Sequence, residues 1–242
     1  MMNVMEKVAS YIAVWNEPNV DERGKRVRAV WAPDGTSCYS ALDTHGYEAI
    51  EARVTRSWDK WLSEGKYIFR PQQGVASHHN VIRVNWEMVT VPGSTLASLG
   101  LSFLVLNSDG QVQHDYQFSP TASDGGHMVE RYVAVLNEPS AEARRTRIAE
   151  LWAPDGEYLS ETSVTIGRSA IEARVAEIYD SHGSKGLTFS SAGHSHHHHN
   201  LARFNWRLCS KDGAEVTATG SDLLVLNDDG RIRLDYQFHD SV

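Results

Sequence analysis

Cysteine is scarce in this chain: Cys38 and Cys209 are the only two among 242 residues. They fall at unrelated places in the internal pattern described below, so they are not a shared disulfide framework. Two free thiols in a reducing cytoplasm are expected. Long apolar runs are also missing, and none approaches the roughly 18 residues of a membrane span. The start, MMNVMEKVAS, lacks the apolar block of a secretory signal. A cytoplasmic location without a membrane partner is therefore expected. Basic charge is short as well, with 23 Lys and Arg against 31 Asp and Glu, a formal net charge of −8. Without a basic stripe, nucleic acid is not expected as a partner.

What the chain does have is repetition. Trp-Ala-Pro-Asp-Gly stands at 31–35 and again at 152–156, and NEP at 16–18 returns at 137–139. AIEARV at 49–54 returns at 170–175, all with an offset of 121. Beyond that the offset is 120: HHN at 78–80 and 198–200, LVLNSDG at 104–110 and LVLNDDG at 224–230, DYQF at 115–118 and 235–238. One deleted residue between 54 and 78 explains the change. The period is too long for a solenoid repeat and long enough for a domain with its own core. The expected organisation is a domain over 1–119, a small polar linker over 120–127 and a second domain over 128–242.

Within the second copy, MVERYVAVL places apolar residues at 129, 132, 133 and 136, the helical spacing. Pro139 ends that helix, and Ser140 is placed to cap the next, AEARRTRIAELW. The Trp-Ala-Pro-Asp-Gly segment breaks it, and Asp34 and Asp155 read as turn residues bonded to local backbone. A third helix follows, with Ile171, Val175 and Ile178 on one side. The period then changes from 3.6 to 2. The segments 187–210, 215–227 and 231–238 read as long antiparallel strands joined by Asp-Gly turns. Helices on one face of an antiparallel sheet give the α+β class.

These parts in this order, twice, resemble the nuclear transport factor 2-like (NTF2-like) superfamily in its SnoaL-like and ketosteroid-isomerase-like branch. The resemblance rests on the Tyr of the first helix (SYIAVWN, RYVAVLN), the Trp-x-Pro-Asp-Gly helix stop, the Gly before the third helix and the closing strand pair. It implies two tandem cone-shaped α+β barrels, each a curved sheet wrapped on three helices with a ligand pocket at the open end. Many relatives pair sheet to sheet, so it also implies an internal pseudo-dimer, with homo-oligomers left open.

Strand parity selects the candidate site. Ala202, Phe204, Trp206 and Leu208 share a face, and a continuous strand would bring His198 and Asn200 with them. The matching first-copy set is His78, Asn80, Ile82, Val84, Trp86 and Met88, while Arg83 and Arg203 take the other face. Asp222 shares parity with Leu224 and Leu226. By the resemblance, Asp222 falls where ketosteroid isomerases carry a protonated Asp that donates to the substrate oxyanion, and Tyr132 falls at its partner. Tyr11 keeps that Tyr in the first copy, where Ser102 replaces Asp222. The isomerase base position holds Tyr39 and Ser160. Asp115 and Asp235, present in both copies, fall near the acid/base Asp of SnoaL-type polyketide cyclases. The catalytic candidates are thus Asp235, Asp222, Tyr132, Asp115 and Tyr11. Ligand contacts are expected from His78, Asn80, Trp86, Ser102 and Tyr39, and from His198, Asn200, Trp206 and Gln237. The plain alternative for each carboxylate is a structural bond to backbone or to Arg.

The run HSHHHHN at 194–200 invites a metal reading. On a strand, His194, His196 and His198 would share a face but stand about 6–7 Å apart, too far to meet at one zinc. No metal and no cofactor are expected. The functions in view are a cofactor-free cyclase, isomerase or dehydratase acting on a carbonyl compound, a hydrophobic small-molecule binder, and an assembly scaffold. The second copy is expected to be the more polar and more active one.

Overall fold

The computed structural model describes residues 3–119, 126–193 and 195–240. The chain divides into two compact units, Met1–Pro120 and Thr121–Val242. Most of the expected linker, residues 120–125, lies outside the described residues, as does His194. No helix among the described residues is long and apolar enough to cross a membrane.

Unit 1 runs α1 (Val4–Asn16), α2 (Val20–Val30), β1 (Trp31–Tyr39), β2 (Leu42–His45), α3 (Gly46–Trp61), β3 (Tyr67–Pro71), β4 (Ala76–His78), β5 (Val81–Thr90), β6 (Leu96–Leu106) and β7 (Val112–Phe118). Unit 2 repeats this as α4 (Gly126–Leu136), α5 (Ala141–Leu151), β8 (Trp152–Ser160), β9 (Ser163–Ile166), α6 (Arg168–Ser181), β10 (Leu187–Ser191), β11 (His196–His198), β12 (Leu201–Ser210), β13 (Val216–Leu226) and β14 (Ile232–His239). The strand order is β2-β1-β7-β6-β5-β3 in one sheet and β10-β12-β13-β14-β8-β9 in the other, with β4 and β11 adding to β5 and β12. Each unit is an α+β domain.

Local chemistry explains the element ends. Asn3 and Glu6 form a reciprocal capping box on α1. Ser140 accepts from the Ala143 amide to start α5, as its position predicts. Ile171, Val175 and Ile178 are the buried stripe of α6. Asn107 and Asn227 each hold a strand turn, their side-chain oxygens accepting from the amides two and four residues on.

Three features differ from the sequence expectation. The sheet is not wholly antiparallel: β1 pairs parallel with β7, and β8 with β14. The Trp-Ala-Pro-Asp-Gly segment is not a turn. It ends the helix and enters the strand as a bulge, with the register shifting between Trp31 and Thr36. Gly35 is needed there because a Cβ would lie 2.9 Å from the Ala32 carbonyl and 3.0 Å from that of Val112. Asp34 and Asp155 sit exposed at this bulge, while Trp31 and Trp152 are fully buried beside Tyr11 and Tyr132. Third, the segment 187–210 is three strands, β10 and β11 both folding back on β12.

Candidate functional site

Unit 1 encloses a cavity of about 590 Å³ between its helices and the concave face of its sheet. That is within the range of small-molecule sites. Its walls are largely aromatic: Trp15 from α1, Tyr39 from β1, Trp61 from α3, Tyr67 and Phe69 from β3 and Trp86 from β5. Its polar floor is made by Tyr11, Arg53 and Gln117. Tyr11, Tyr39 and Trp86, three of the residues selected from the sequence, are among its lining residues.

Behind the floor lies a closed hydrogen-bond network. Asp115 is fully buried. It accepts from Ser37 Oγ at 2.9 Å, Gln117 Nε2 at 2.8 Å and the Tyr11 hydroxyl at 3.1 Å. Arg53 completes the network by donating to Ser37 Oγ and to Gln117 Oε1. Ser102 joins Tyr11 to the indole of Trp86 at 3.1 and 3.2 Å. Burial raises the Asp115 pKa to about 6, with Arg53 and the three donors holding it below what burial alone would give. Asp115 and Ser102 thus back the cavity floor and are not among its lining residues.

Unit 2 builds the same place differently. Asp222 and Asp235 are both fully buried and lie on neighbouring strands, opposite Gln237 and Leu224 respectively. The Tyr132 hydroxyl donates to Asp235 Oδ2 at 2.8 Å, and the Trp206 indole donates to Asp222 Oδ1 at 3.1 Å. Asp222 Oδ2 and Asp235 Oδ1 have no hydrogen-bond partner among the described residues. With Tyr158 in place of Ser37, Arg174 acts on the Tyr158 hydroxyl and is not among the groups that set the Asp222 and Asp235 pKa values. The Tyr158 hydroxyl donates to Gln237 Oε1 at 2.5 Å, taking the role that Arg53 plays on Gln117. Arg174, the counterpart of Arg53, also donates to Glu177 at 3.3 Å. Burial raises Asp222 to about 7, only partly offset by Tyr132, Trp206 and Gln237 around it. Burial and the Asp222 charge raise Asp235 well above the usual carboxylate range. Two carboxyls in one buried site titrate as a pair, so that near neutral pH one proton is retained while the other is being lost. Such a pair can present an acid O–H and a base oxygen together.

His78, Asn80, His198 and Asn200 are not brought to this place. Parity along a continuous strand put them on the concave face, but a two-residue turn intervenes. His79 and His199 have φ near +50°, and His78 pairs with Val81 while His198 pairs with Leu201. Cross-strand partners share a face, so both histidines lie with Arg83 and Arg203 on the opposite side of the sheet. Asn80 and Asn200 are turn residues donating to the carbonyls of Leu106 and Leu226. Among the described residues no cluster of three or more potential ligands is placed to hold a metal ion. His194 lies outside those residues.

Four contributors were not foreseen: Arg53, Ser37, Tyr158 and the glycine pair Gly100 and Gly220. A signal existed for Arg53. It sits with Ile50 and Val54 on the buried stripe of α3, and the motif AIEARV repeats it at 174. Gly100 and Gly220 also repeat at the common offset. Each leaves room for a tryptophan laid across the strand: a Cβ at Gly100 would stand 2.0 Å from the Trp86 ring, and one at Gly220 2.3 Å from Trp206.

Solved structures place these features in a family. A candidate isomerase of the SnoaL-like family from Agrobacterium tumefaciens is 32% identical, over 48% of this chain and 96% of that one, with a TM-score of 0.44. The chain belongs to the SnoaL-like family. The match spans one unit, in keeping with a SnoaL-like domain present twice. A candidate polyketide cyclase from Sinorhizobium meliloti is 12% identical over 47% of this chain and 94% of that one, with a TM-score of 0.37. An NTF2-like protein from an Exiguobacterium species is 20% identical over 48% and 99%, with a TM-score of 0.39. No family model and no curated protein matches the chain.

Proposed function

We propose that this SnoaL-like protein takes a hydrophobic carbonyl compound and moves protons on it without a cofactor. Cyclase, isomerase and dehydratase reactions share that step: a base removes a proton next to a carbonyl, and an acid stabilises the oxyanion that develops. The supporting observation is the unit 2 cluster, in which Asp222 and Asp235 are fully buried, each with one oxygen unpartnered among the described residues and Tyr132 donating to Asp235. One carboxyl in its ionised form is the base. The other, kept neutral by burial, is the acid, with the Tyr132 hydroxyl as second donor. The unit 1 cavity supplies a small-molecule site in the same chain.

A non-catalytic reading has its own support in unit 1, where ring-lined walls meet a floor whose carboxylate is already satisfied by Ser37, Gln117 and Tyr11. One assay separates the two. Exchange of the activated proton of an aryl 1,3-diketone is followed by NMR in heavy water. On the catalytic reading, Asp222→Asn and Asp235→Asn each lower the protein-dependent exchange by about 100-fold or more, the usual scale for a general acid or base. Unchanged exchange in both variants, with the diketone still bound, leaves the binding reading.

A further inference from the structure

The unit 1 cavity carries charge of one sign only. Arg53, Arg56 and Lys60 line it and no Asp or Glu does, in a chain whose formal net charge is −8. All three project from α3 at spacings of three and four, so one helix face supplies them. Arg53 is buried at the floor with its guanidinium 5.3 Å from the Trp15 ring and 5.8 Å from Tyr39. Arg56 and Lys60 are exposed at the rim, Lys60 with its ammonium 4.5 Å from the ring of Trp61. Trp61 itself is 40% exposed, a large apolar surface at the mouth.

Unit 2 has lost this arrangement. Arg56 aligns with Glu177, Lys60 with Ser181 and Trp61 with His182, by the offset that carries AIEARV from 49 to 170. Glu177 also takes the one aligned cation, Arg174. The two rim cations of unit 1 are therefore matched in unit 2 by a serine and by a glutamate that pairs with Arg174. Cations set around an apolar cleft raise the local concentration of anions and orient them, and ring walls hold a flat body.

We infer that the unit 1 cavity selects an aromatic anion: a flat apolar ring system bearing a carboxylate, sulfonate or ionised enol. The ring body lies among Trp15, Trp86 and Tyr67, and the anionic group meets Arg56 and Lys60 at the rim. This deepens the reading of unit 1 as a small-molecule site and rests on it.

The test compares two fluorescent probes that differ only in charge, anilinonaphthalene sulfonate and its sulfonate-free parent N-phenylnaphthylamine. The intact chain is titrated with each. The expected result is that the sulfonate binds about tenfold or more tightly than the neutral probe and weakens with added salt. In the double variant Arg56→Glu, Lys60→Glu the preference disappears while neutral-probe affinity holds. A variant with the same charge change outside the cavity, Lys25→Glu, Lys211→Glu, keeps the preference. Equal binding of both probes, or a preference that survives the rim variant or is lost equally in the control, overturns anion selection and leaves the binding reading standing. If neither probe binds, the unit 1 small-molecule site itself falls.

Discussion

Asp222→Asn raises the stability of the protein at pH 8 and leaves it nearly unchanged at pH 4. The folded chain holds the Asp222 proton to about pH 7, because its carboxyl is fully buried, whereas an unfolded chain releases it near the ordinary aspartate value of 3.8. A folded-state pKa above the unfolded one gives stability that is complete at low pH and lost as pH rises through the folded value. The wild type therefore pays for this carboxyl between about pH 4 and 7, and the asparagine variant does not. With about 1.4 kcal/mol per pKa unit, the gain at pH 8 is on the order of 2–4 kcal/mol. Asparagine retains an oxygen to accept from the Trp206 indole, so the geometry survives. Removing the Asp222 charge also lowers the Asp235 pKa, since that charge is one of the two causes of its rise. Calorimetric unfolding of both proteins across this pH range checks the expectation. A variant less stable than wild type at pH 8 would show that Asp222 is there to hold the fold.

Gly220→Ala is the second change with a large expected effect. An added Cβ would lie 2.2 Å from the Phe238 carbonyl oxygen and 2.3 Å from the Trp206 ring. The carbonyl belongs to the paired strand β14, so it cannot turn away as a side chain can. The strand pair must part locally, and the expected cost is about 3 kcal/mol, at the upper end for overpacking. At Gly100→Ala the three nearest atoms all belong to the ring of the half-buried Trp86, which lines the adjacent cavity. A smaller loss, about 1 kcal/mol, is expected there together with weaker probe binding. Denaturant melts read by tryptophan fluorescence measure both. An equal and small cost at the two positions would mean that the glycines do not seat the tryptophans.

The duplication made much of this legible. Two copies of one motif show which positions are held in common, and Tyr11, Tyr132, Asp115 and Asp235 stand out because they recur on regular elements. Parity puts Asp222 on the face of Leu224 and Leu226, and because β13 and β14 pair without interruption there, that face also carries Asp235, which parity alone did not point to. The same rule misplaces His78 and His198, because a two-residue turn reverses the facing and is itself built of His and Asn in place of glycine. The parallel pairing of β1 with β7 depends on which strands meet across the whole unit, which local pattern does not encode. Arg53 reads as helix surface until its place on the buried stripe with Ile50 and Val54 is weighed. The exchange of Ser37 for Tyr158 becomes visible only when Tyr158 is seen to reach Gln237 as Arg53 reaches Gln117.

Carbon-13 NMR of the aspartate carboxyls as a function of pH tests the central claim most directly. Asp222→Asn and Asp235→Asn assign the two resonances. Both carboxyls are expected to stay protonated at pH 5, where an ordinary aspartate is ionised, with the pair losing its first proton only near pH 7. Two resonances already ionised at pH 5 would contradict a dry acid/base pair in unit 2, and with it the proposed chemistry.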